Sequence, residues 1–137
     1  MREWDSARTV STILLLVLCC AFVAADRCAA AGSVSESWVR RYGLSVFDNA
    51  KAIAVDTAGN SYVTGYSTGA SGDYDYVTIK YDPAGTRNWM KRYNGPGKGW
   101  DAACAIAVDK SGNVYVTGYS TGSDGTMDFA TIKYLQQ

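Results

Sequence analysis

Two kinds of side chain in this sequence could do chemistry: carboxylates in glycine-rich loops, and carboxylates next to an aromatic ring. Gly72-Asp73-Tyr74-Asp75 and Ser123-Asp124-Gly125-Thr126-Met127-Asp128 set Asp73, Asp75, Asp124 and Asp128 in flexible stretches. Oxygen ligands grouped in this way can hold a hard cation or accept hydrogen bonds from sugar hydroxyls. The competing reading is a solvated loop in which Asp75 and Asp128 cap the strand that follows. As a glycosidase pair the carboxylates would need surroundings that raise one pKa, and nothing in the sequence supplies them. Phe47-Asp48 and Trp100-Asp101 are the second kind. A flat ring beside a carboxylate can hold a carbohydrate ring. Against that stands plain packing of an aromatic where two elements meet.

Other chemistries are closed off. Histidine is absent, which removes the commonest general base and the commonest neutral metal ligand. A Ser-His-Asp triad and a His-bearing zinc site are therefore excluded. Cys104 has no histidine to activate it and reads as a small apolar strand residue. Asp56-Thr57-Ala58-Gly59-Asn60 and Asp109-Lys110-Ser111-Gly112-Asn113 hold too few acids for a calcium loop and read as hairpin turns. No helix follows Gly59-Asn60 or Gly65 to aim its N-terminus at a phosphate. The Arg40-Arg41 and Lys91-Arg92 pairs read as a solvated outer face. No catalytic residue, metal or cofactor is expected.

The elements that must position these residues repeat. Asp56 returns as Asp109, an offset of 53, and the match holds without a gap from Asp48/Asp101 to Tyr81/Tyr134. One period reads as an Ala-rich strand over 50–56, a second over 61–67, a third over 76–81 and a fourth over 88–93. The second copy offers 103–109, 114–121 and 129–134. In the Ala-rich strand Ala50, Ala52 and Ala54 alternate with Ile53 and Val55, so both faces are apolar and burial on both sides is expected. Gly65 marks a close backbone approach or a bulge. Val77, Ile79 and Tyr81 share a face, while Lys80 lies on the other and keeps it wet. Asp82-Pro83-Ala84-Gly85 is a turn with Pro at its favoured second position. Trp38-Val39-Arg40-Arg41-Tyr42 echoes Trp89-Met90-Lys91-Arg92-Tyr93. Four antiparallel strands in one such period have the size of a propeller blade.

Residues 1–31 read as a signal peptide and small-residue spacer. The apolar run from Ile13 to Ala25 spans about 20 Å as a helix, short of a bilayer core of about 30 Å. Val23-Ala24-Ala25 and Ala29-Ala30-Ala31 each fit a small-x-small cleavage site. An uncleaved anchor is the alternative, and membrane contact is expected only through it. Cys19 and Cys20 leave with this segment, and Cys28 stays only if cleavage falls early, so no disulfide framework is expected. Lys+Arg and Asp+Glu are both 13, and so balanced a surface gives no reason to expect nucleic acid.

Asp-x-x-Gly-Asn-x-Tyr-Val-Thr-Gly, then Asp-Tyr-x-Thr-Ile-Lys-Tyr, Trp-x-x-Arg-Tyr-Asn-Gly-Pro-Gly and Asp-x-Ala-x-Ala-Ile-Ala-Val-Asp, resembles the bacterial seven-bladed β-propeller repeat (SBBP repeat) family over residues 38–134. Gly43 to Phe47 is two residues shorter than Gly95-Pro96-Gly97 and its flanks, a departure from the pattern. The resemblance implies blades in an exported or surface-associated protein and brings no catalytic residue. The expectation is thus an all-β chain of two tandem four-stranded blades, an incomplete propeller, after a signal helix. Blade repeats fall at about 48–93 and 101–134, with 38–42 completing the second. Two blades cannot close a ring. Homo-oligomers that complete one, truncation from a longer chain, and compact two-sheet packing are the ways out. The expected role is a secreted, periplasmic or cell-surface binding or scaffold module whose partners are itself, a glycan or a surface protein. The alternative is a carbohydrate-active hydrolase or lyase that uses the rim carboxylates, or a non-functional fragment.

Overall fold

The computed structural model describes residues 32–43 and 46–136, so the expected signal helix lies outside the described residues. Residues 32–36 are exposed and carry no regular structure. From Ser37 onward the chain forms one compact unit. Its strands are β1 (Asp48–Val55), β2 (Ser61–Thr68), β3 (Tyr74–Tyr81), β4 (Arg87–Tyr93), β5 (Ala102–Val108), β6 (Val114–Thr121) and β7 (Met127–Tyr134). They form two antiparallel sheets, β1-β2-β3-β4 and β5-β6-β7, and no helix occurs among the described residues.

The hairpins share one turn. Asp56, Asp82 and Asp109 each accept a hydrogen bond from the glycine three residues on (Gly59, Gly85, Gly112), and each of these glycines has a positive φ near 80°. A type I turn followed by a left-handed residue gives a three-residue loop whose twist suits the strands. Asp56 secures its turn further by accepting from the Ala58 and Asn60 amides, the Asn60 side chain and the Tyr62 hydroxyl. Asp109 repeats all four with Ser111, Asn113 and Tyr115.

The two sheets bury one face of each against the other. Tyr62 and Tyr76, with Trp89 and Tyr93, meet Val114, Val116 and Ala103, with Ile132 and Tyr134 at the margin. The Tyr76 hydroxyl crosses between the sheets to the Ala130 carbonyl at 3.3 Å. A second cluster lies on the opposite face of the first sheet, where Val77, Ile79 and Tyr81 are buried with Tyr42, Val63 and Met90.

Four expectations need correction. The second sheet has three strands, not four, and residues 38–42 do not complete it within the chain. They lie on the outer face of the first sheet instead: the Trp38 ring nitrogen donates to the Pro83 carbonyl, Arg40 donates to Gly85, and Trp38 packs on Tyr81. The Ala-rich strands are not buried on both sides, because Ile53 and Val55 are largely exposed. Alternation fails there at a bulge, with a register shift across Lys51 in β1 and across Cys104 in β5. Finally, the Lys80 side of β3 is not wet. Lys80 is half-buried, its ammonium 5.2 Å over the Tyr62 ring and bonded to Gln136, because the face it shares with Tyr62 and Trp89 packs against the second sheet.

Candidate functional site

The antiparallel order puts the starts of β1, β3, β5 and β7 at one end, with the ends of β2, β4 and β6. All eight residues singled out from the sequence therefore reach this one rim, while the Asp56, Asp82 and Asp109 turns occupy the other. Local hydrogen bonds knit the rim: the Thr68 amide donates to the Phe47 carbonyl, Asp101 to Tyr74, and Gly97 to Thr121.

Phe47 and Trp100 are brought together through two tyrosines that the sequence reading did not single out for the site. Phe47 stacks near Tyr66 (6.1 Å between centroids, 22° between planes) and 5.8 Å from Tyr74. Tyr66 lies 4.8 Å from Tyr74, and Tyr74 lies 5.3 Å from Trp100. The result is a row of four rings whose ends are open, Phe47 at 46% exposure and Trp100 at 54%. The Lys51 ammonium sits 5.3 Å over the Tyr66 ring. The signal for Tyr66 was present in the Tyr-Val-Thr-Gly-Tyr strand, where alternate tyrosines share a face. Tyr74 had none, since its counterpart 53 residues on is Met127.

Most of the carboxylates have internal employment. Asp101 is fully buried, one oxygen accepting from the Gly95 amide at 2.6 Å and the other from Thr121 at 3.0 Å, so its place is a brace between loop and strand rather than a ligand contact. Asp75 is buried, and its Oδ2 accepts from both Nη2 and Nε of Arg92, at 2.9 and 3.2 Å. This corrects the reading of Arg92 as part of a solvated face: it also donates to the Tyr42 hydroxyl, to Ser67 Oγ, and to the Ser67 and Thr68 carbonyls. The sequence signal for it was the Trp-x-x-Arg-Tyr spacing shared with Trp38–Tyr42. Asp124 accepts from the Thr126 hydroxyl and amide, which hold its carboxyl below the usual aspartate range. Asp48 is half-buried opposite Ser67, and Asp73 is half-buried with its carbonyl accepting from Gly69. Asp128 is exposed, in register with Ser120.

No group of three or more cysteines or acids converges on a common point among the described residues. Cys104 is a free, exposed thiol at the β5 bulge. What the rim can do chemically is stack a flat or ring-shaped ligand on Phe47 and Trp100, while its buried carboxylates hold the loops still.

Fold and rim together define an all-β repeat protein of antiparallel leaflets. A family model for the SBBP beta-propeller repeat matches residues 38–73 and 105–126. No curated protein sequence matches the chain.

Proposed function

We propose that the chain is an exported, non-catalytic β-propeller repeat module that binds saccharide rings at its aromatic rim and acts as a scaffold at the cell surface. The observation that carries the reading is the row Phe47–Tyr66–Tyr74–Trp100, half-buried in its middle and open at both ends. Aromatic faces offer contact area at little entropic cost, and their energy does not need a charged ligand. Export is read from the leader-like residues 1–31. The absence of catalysis is read from the carboxylates: Asp75 and Asp101 are committed to Arg92 and to backbone amides.

The test is affinity electrophoresis of the full chain through gels that hold soluble polysaccharides, with reducing ends assayed in parallel. Retardation by at least one neutral polysaccharide, weakened about tenfold by Trp100→Ala, is the expected result, since one stacked ring contributes about 0.5–1.5 kcal/mol. Release of reducing ends, or binding indifferent to Trp100→Ala, would overturn the reading.

A further inference from the structure

The chain buries one interface between its two sheets and exposes both halves of that same interface again on its outer surfaces. Tyr76 is fully buried against the second sheet; its counterpart Phe129, on the far face of that sheet, is 90% exposed. Ile106 and Val108 are half-buried against the first sheet; their counterparts Ile53 and Val55, on its outer face, are 64% and 61% exposed. The buried contact shows that these two surfaces fit, so an outward copy of each is a matched pair of docking faces.

Residues 38–42 give that docking a register. Trp89 of β4 packs on Tyr134 of the second sheet at 5.8 Å between centroids, and Trp38 packs on Tyr81, the counterpart of Tyr134, at 5.9 Å. The segment thus stands against the first sheet as β4 stands against the second. It holds the place of a fourth strand for a leaflet that the described residues do not form, and beside it runs a groove of about 770 Å³ lined by Tyr42, Ile53, Val63 and Gly65. The second sheet is the leaflet with three strands, and β7 is its edge without a fourth.

The polar groups say the same. In the first sheet Arg92 of β4 donates to Asp75 and to Ser67 Oγ. The corresponding positions in the second sheet are Asp128 and Ser120. Ser120 Oγ is buried without a hydrogen-bond partner among the described residues, and a Cβ at Gly122 would meet the Asp128 carboxylate as one at Gly69 would meet that of Asp75. In the segment 38–42 the residue equivalent to Arg92 is Arg41, which is exposed. A buried hydroxyl with no partner is destabilising. A guanidinium arriving from outside would supply its donor and meet the carboxylate as well.

We propose that a second copy of this chain docks head to tail on the first. Its segment 38–42 adds as the fourth strand along β7, its Arg41 pairs with Asp128 and Ser120, and Phe129 is covered by its first sheet. The contact is heterologous, so the docked pair keeps one free face of each kind and further copies can add until a ring closes. This inference does not depend on the rim: it uses the sheet faces and one strand edge, and saccharide binding can fail while docking holds.

The test is co-purification of tagged and untagged full chains in pairwise mixtures. Phe129→Asp spoils one face and Ile53→Asp the other, and both positions are exposed, so the fold is left intact. Wild type should retain wild type. Each variant should fail to retain its own kind, by about tenfold or more, while the two variants retain each other through the one interface that remains whole. Arg41→Asp and Asp128→Arg should each lose self-retention, and the chain carrying both substitutions should regain it. Wild-type chains that do not retain each other would overturn the proposal. So would variants that retain their own kind undiminished, the result expected if the leader or unspecific apolar contact held the copies together.

Discussion

Asp56 and Asp109 hold the same four donors at positions 53 residues apart, and the pH response of the fold should carry their mark. Asp109 is held below the ordinary aspartate value chiefly by the Asn113 side chain, helped by backbone amides and Tyr115. Asp56 is lowered in the same way, its partial desolvation outweighed by bonds from Asn60, Tyr62 and Ala58. Burial, then the neighbouring Asp56 carboxylate, pushes the Tyr62 hydroxyl up to about 12. A depressed folded pKa gives stability that is present above the unfolded value of about 3.9 and is lost as pH falls through the folded value. Denaturant midpoints measured between pH 6 and pH 2 should therefore fall towards acid. The variant Asp56→Asn/Asp109→Asn should be less stable at pH 6 and show a shallower fall; an unchanged acid slope would contradict the assignment.

At the scale of the element, the inner hairpin of each sheet is set by a glycine opposite a bulge. A Cβ at Gly65 would run into the Asn49 carbonyl, and one at Gly118 into the Ala102 carbonyl. Gly65→Ala and Gly118→Ala should each cost about 1–3 kcal/mol by overpacking, read from the shift in denaturant midpoint at constant slope. Gly72→Ala, where a Cβ meets nothing but where φ is +91°, separates backbone strain from collision. The close approach at Gly65 was legible because a glycine stood inside a run of β-formers. The bulge itself was not, since Lys51 and Cys104 differ in type and neither disturbs the apolar pattern. The turns were legible for the opposite reason, an Asp-x-x-Gly string specifying both the hydrogen bond and the left-handed residue. Which sheet residues 38–42 join was beyond the sequence, because Trp-x-x-Arg-Tyr fixes what a strand packs on and leaves open which edge it lies along. The rim was half legible: Phe47 and Trp100 showed themselves by position, but the tyrosines between them become a row only once β2 and β3 are paired.

For the molecule as a whole, the repeat is a statement about surfaces. A sequence that returns after 53 residues builds the same two faces twice, and one internal contact uses one of each. In the proposed assembly the remaining pair, with Arg41 on one side and Asp128 and Ser120 on the other, joins copy to copy and leaves the aromatic rim open along the edge. Amide hydrogen exchange, followed peptide by peptide over a dilution series, tests this most directly. The account predicts that protection across Met127–Tyr134 rises with protein concentration while that of Arg87–Tyr93 stays constant, and that Arg41→Asp abolishes the rise. Equal, concentration-independent exchange in the two strands would contradict it.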